Sequence, residues 1–138
     1  DVYDINTHSI PDFSMLTPIK RVSVPGVFYS DKTALQTALS ISLSSFSVCF
    51  QTHINISKEG TYHFRIISDD DSALYIDGSE ILHRNGGPTT ANLFLSVGMH
   101  ELVVEFSEGH GSAYVKPYYT VPGESEIPIP EDKLYYIP

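Results

Sequence analysis

One cysteine, Cys49, is too few for an internal disulfide, and it neither demands nor excludes an extracellular setting. Positive charge is scarce as well. Eight Lys and Arg stand against seventeen Asp and Glu in 138 residues, a formal net charge of −9. The longest basic cluster is the pair Lys20-Arg21. A phosphate backbone is held by a basic stripe, so nucleic acid is excluded as a partner. No apolar run approaches the ~20 residues of a membrane-spanning helix, so membrane insertion is not expected. Internal repeats and low-complexity segments are missing too. The chain starts at Asp1 with no Met and no signal peptide ahead of it. We therefore expect a processed product or a domain cut from something longer. What is present is core material: nine Tyr and seven Phe with only 18% charged residues, which argues against disorder and for one folded domain.

Chemistry motifs are equally sparse. The six histidines, His8, His53, His63, His83, His100 and His110, show no pair at the spacing of a zinc-binding helix. There is no nucleophile elbow, phosphate loop or serine–histidine constellation. No pair of acids can be assigned to glycoside hydrolysis. The chain reads as a binder, not an enzyme.

The periodicity is that of strands. Phe46, Val48 and Phe50 alternate with Ser47, Cys49 and Gln51. Cys49 falls on the less apolar face, as a small filler without a basic neighbour to activate it. Tyr62, Phe64 and Ile66 alternate in the same way, as do Leu74 with Ile76, and Leu102, Val104 and Phe106. Asp77-Gly78 is a hairpin signal. Leu93 and Leu95 mark a further strand, and residues 113–119 another. Residues 1–29 read as irregular, and the proline-rich tail as extended over the body. The only helix signal lies within residues 30–43, where Ser30 or Asp31 can cap and Leu35 and Leu39 are one turn apart. The fold class expected is all-β: an antiparallel β-sandwich, one domain over 1–138, with at most one short helix near 31–39.

One stretch breaks the pattern. Residues 68–78 read SDDDSALYIDG, with Asp69, Asp70 and Asp71 between two apolar segments. Either the run is a solvated turn whose carboxylates cap backbone amides, or a cation sits on it. An EF-hand is excluded, because its spacing demands acids where Ala73 and Leu74 stand.

The segments FSVCFQTHINI at 46–56, GTYHFRIISDDDSALYIDG at 60–78, VGMHELVVEFSEGHGSAYVKPYY at 97–119 and PG at 122–123 resemble the β-sandwich domain named after anthrax protective antigen. That domain recurs in bacterial adhesins, toxins, glycosidases and yeast flocculins. The motif-bearing part is then 46–123, with 1–45 and 124–138 as flanks packed on it. In lectin members of the family, two consecutive aspartates joined by a cis peptide bind calcium, which in turn coordinates sugar hydroxyls. The resemblance places that pair at Asp69 and Asp70. Asp71 stands where many members carry glycine, which implies that Asp71→Gly leaves calcium binding intact. Adjacent strand residues normally face opposite ways. A cis peptide shortens the Cα–Cα distance to ~2.9 Å and can bring both carboxylates to one side. Calcium takes six to eight oxygens. Backbone carbonyls of Gly109 and Gly111, with the carboxylate of Glu108, are expected to complete its cage in the loop 107–112. Flocculins offer an asparagine in this loop instead. Asn85 and His110 are the further residues expected at the ligand. The resemblance implies a calcium-dependent, lectin-like module of an extracellular adhesin or surface protein, part of a larger chain, binding a glycan on a cell surface or glycoprotein. The alternative is a non-catalytic protein-interaction module of a toxin, fibre tip or secreted enzyme. The sequon Asn55-Ile56-Ser57 falls in an expected strand.

Overall fold

The computed structural model describes residues 1–138. Alternating apolar residues give two antiparallel sheets with their inner faces together. In the larger sheet, β1 (Val2–Tyr3) pairs with β2 (Phe46–Ile56). The order continues through β7 (Gly98–Glu108) and β4 (Asp71–Ile76) to β5 (Ser79–His83), and β10 (Leu134–Tyr135) also pairs with β2. The smaller sheet runs β6 (Thr90–Leu95), β3 (Gly60–Asp69), β8 (Tyr114–Thr120) and β9 (Ile127–Pro128). All eleven side chains expected inside, from Phe46 through Phe106, are at most 5% exposed. No helix is long and apolar enough to cross a membrane.

The one α-helix, α1 (Lys32–Leu39), is capped by Asp31, whose side chain accepts from the Ala34 N–H at 2.8 Å. It buries Leu35 and Leu39 on the core. It stops short of residue 43 because Ser40 takes a left-handed conformation (φ 53°), which cannot continue a helix. Residues 1–29 are less irregular than expected: Val2 pairs with Val48, and Tyr29 bridges to Val115 and stacks on Phe50. The expected strand at 113–119 is displaced by one residue. Cys49 is buried beside Gln51, and burial pushes its thiol pKa up.

The sheet order sets the position of the acidic turn. β3 belongs to one sheet and β4 to the other, so the chain crosses the sandwich at Asp70. β7 and β8 make the same crossing through residues 109–113. Register lays the two crossings side by side, because Asp71 opposes Ser107 and Asp69 opposes Tyr114.

Candidate metal and ligand site

At this double crossing the structure brings Asp69, Asp70 and Glu108 together. One carboxylate oxygen from each lies within 4.8 Å of the others. The peptide joining Asp69 and Asp70 is cis. Asp69 and Asp70 are partly exposed, while Glu108 is fully buried at the end of β7. Neither oxygen of Glu108 has a hydrogen-bond partner. Its nearest cation is Lys32 Nζ on α1, 3.3 Å from Oε2, and that ammonium donates to the Gly111 carbonyl at 2.9 Å.

Asp70 is differently placed. Its Oδ2 accepts from the Gly109 N–H at 2.8 Å and from His8 Nδ1 at 2.9 Å. The His8 ring lies directly over Gly109, where a Cβ would collide with it. His110 meets the same ring edge-on, centroids 4.9 Å apart. The Gly109 carbonyl accepts from Ser45 Oγ. Of the loop residues expected around an ion, Glu108 joins the carboxylate cluster. Gly109 contributes its N–H to Asp70, and the carbonyls of Gly109 and Gly111 are engaged by Ser45 and Lys32.

Asp71 has a separate job. It is 1% exposed and points into the larger sheet. Its Oδ1 accepts from the Ser72 and Asn85 N–H groups, and its Oδ2 from the Ile10 N–H and His83 Nε2, at 2.9–3.1 Å. Glycine at this position would leave these four donors without their acceptor, so Asp71 has a part in the fold that its place in the aspartate run does not reveal. Asn85 is held near the cluster through this bond from its backbone, and its side chain is not engaged with Asp69 or Asp70. Ser68 and Ser72 close the turn from within, Ser68 Oγ donating to the Asp70 carbonyl at 2.9 Å.

A family model for the PA14 domain matches residues 23–133. The chain belongs to the PA14 domain family. This is the protective-antigen-like family that the motifs of 46–123 resemble. Among solved structures, the PA14 domain of the antifreeze protein MpAFP matches with a TM-score of 0.72 at 18% identity, covering 98% of this chain and 87% of that one. The PA14 sugar-binding domain of an RTX adhesin matches with a TM-score of 0.60 at 15% identity, covering 80% and 75%. An anti-sigma factor domain-containing protein from Clostridium clariflavum gives 0.60 at 22%, covering 69% of this chain and 34% of its own. This PA14 domain thus spans about a third of that protein. No curated protein matches the sequence.

The electrostatics of this PA14 domain follow from the geometry. Burial pushes the Glu108 pKa up to about 7, with Lys32 opposing and Asp70 adding to the rise. Burial also raises Asp69, reinforced by Asp70 beside it. For Asp70 burial works the other way from the outcome: the Gly109 N–H and His8 bonds outweigh it and hold the carboxyl below its ordinary value. Three carboxylates face one ammonium. Sequence reasoning missed Lys32 and His8, since neither carries a local motif and both reach the site only through the tertiary fold.

Proposed function

We propose that this PA14 domain is a calcium-dependent carbohydrate-binding module. Asp69, Asp70 and Glu108 would hold the ion, and the module would belong to an extracellular or cell-surface protein. The observation that carries the reading is Glu108. A buried carboxylate without hydrogen bonds is costly, and beside two further carboxylates it is costlier. The donor set fits a hard divalent cation: all three side chains offer oxygen, as calcium prefers. Lys32 beside Glu108 and Arg84 acting on Asp69 balance the three acidic groups only in part, which leaves negative charge for an ion to meet. Bound calcium would supply open coordination positions for vicinal hydroxyls of a sugar. The rest of the site is this chain's own. Tyr114 opposes Asp69 in register, so its half-buried side chain stands on the same outer face of the smaller sheet and would be available to a bound sugar. Lys116 lies over that ring, 5.0 Å from its centroid, and brings a donor for hydroxyls. The sugar-binding PA14 domain of the RTX adhesin supports the same class of ligand.

Calorimetric titration of wild type and Asp70→Asn, first with calcium and then with sugars drawn from a glycan array, tests the reading. Wild type should bind calcium and then sugar. Asp70→Asn should lose both while remaining folded, because asparagine keeps the shape and removes a charge. Equal calcium binding by the two proteins would refute the site.

A second reading, a protein-interaction module, is favoured by one feature. Phe94, Val97 and Met99 are 60%, 63% and 46% exposed along the connection that carries the chain from β6 in the smaller sheet to β7 in the larger one. Calcium binding with no sugar retained on a broad array would favour that reading.

A further inference from the structure

The family match begins at residue 23, yet the acidic site is completed from residues 7–10. This segment is threaded across both sheet crossings. The Thr7 carbonyl accepts from Ser107 Oγ at 2.9 Å, and the Ile10 N–H donates to Asp71 Oδ2 at 2.9 Å. Between these ties His8 reaches Asp70. Because a carboxylate has no proton to give, Nδ1 must be the donor.

The two oxygens of Asp70 are used unequally. Oδ2 receives both donors, His8 Nδ1 and the Gly109 N–H, while Oδ1 accepts no hydrogen bond. An oxygen with both lone-pair directions filled is a poor metal ligand, and its partner in the same carboxylate is left free. The His8 ring is packed on two sides: it lies against Gly109, which leaves space for it by lacking a side chain, and His110 abuts its edge.

We propose that His8 is a positioning residue for calcium, acting through Asp70: its Nδ1–H and the Gly109 N–H fix Oδ2 so that Oδ1 is presented to the ion. The inference rests on the calcium reading above. It adds that a segment outside the family match is part of the working site. Partners that orient a ligand carboxylate typically change metal affinity by about 10- to 100-fold.

The test compares wild type, His8→Ala and His8→Asn by calcium calorimetry, with thermal melts in chelator. His8→Ala should bind calcium roughly 10- to 100-fold more weakly. His8→Asn, whose amide nitrogen falls near Nδ1, should recover most of that affinity. Melting in chelator should be the same for all three, since the His8 side chain is more than half exposed. His8→Ala binding as tightly as wild type, or more tightly, would overturn the proposal and make His8 a bystander or a competitor. Equal weakening in both variants would overturn it too, assigning the effect to ring packing. If wild type binds no calcium, the calcium reading falls and this inference with it. A wild type that binds while the variants match it removes the inference alone.

Discussion

Two turns of this domain are built around aspartate, and they differ in one respect. At Asp77-Gly78 the hairpin from β4 to β5 takes two positive φ values, 49° and 83°, as a type I′ turn requires. Each Asp77 oxygen has a donor: Oδ1 takes the Glu101 N–H at 3.0 Å, and Oδ2 takes His100 Nδ1 at 2.6 Å. Nothing is left over. At the other turn Asp71 is also saturated, with four donors, but Glu108 beside it has none. Acidic residues alone do not mark a site. The unsatisfied carboxylate does, because folding has removed water from it and provided no hydrogen bond in exchange.

Three experiments sharpen this contrast. The largest effect is expected at Asp71. Asp71→Gly strips a buried acceptor from the Ile10, Ser72 and Asn85 N–H groups and from His83, and should cost about 3–5 kcal/mol. The urea midpoint measures it. A loss below ~1 kcal/mol would mean that water reaches these donors.

Glu108→Gln should act in the opposite direction. It removes a buried charge that Lys32 only partly balances, so the metal-free domain should gain about 1–2 kcal/mol. The same change should abolish the rise in melting temperature that calcium gives wild type, about 2.7 kcal/mol of stability at a hundredfold excess over Kd. Melts in calcium and in chelator read both effects. A metal-free protein made less stable by the substitution would assign Glu108 to the fold through Lys32.

The smallest effect belongs to the satisfied turn. Both His100 nitrogens face acceptors, Asp77 and the Ser96 carbonyl. Although burial opposes its charge, these partners hold the His100 pKa above the ordinary value. Folded His100 therefore keeps its proton more tightly than unfolded His100. Its contribution is fully present below ~pH 6.5 and is lost as pH rises through the raised value. The gap in melting temperature between wild type and His100→Ala should be widest near pH 6 and narrow above neutrality. Calcium affinity should not change. A gap that widens with pH would reverse the assignment.

The strands were legible because their alternation is strict and the inner faces are almost wholly apolar. Asp69 and Asp70 were legible through their place in a linked run of motifs. The division of labour within the aspartate run was not. Asp69, Asp70 and Asp71 look alike in sequence, and only the crossing from one sheet to the other sends Asp71 inward and leaves its neighbours at the rim. Glu108 could be named from its loop, but its burial depends on α1 and on register with Phe46. His8 was invisible, because it lies 62 residues before Asp70 and touches it only after the N-terminal segment has been laid over the crossings.

β2 carries a further consequence. Its free edge is paired twice, by β1 at Ser47 and Val48 and by β10 at His53 and Ile54, so the first and last strands clasp the same flank. The Asp1 ammonium and carbonyl extend the first clasp to Cys49. Only Phe50–Thr52 is left between them, too short a run of unpaired backbone to recruit a strand from another molecule. On that flank β2 itself is closed to strand addition, so crowded copies cannot extend the larger sheet by pairing directly with it.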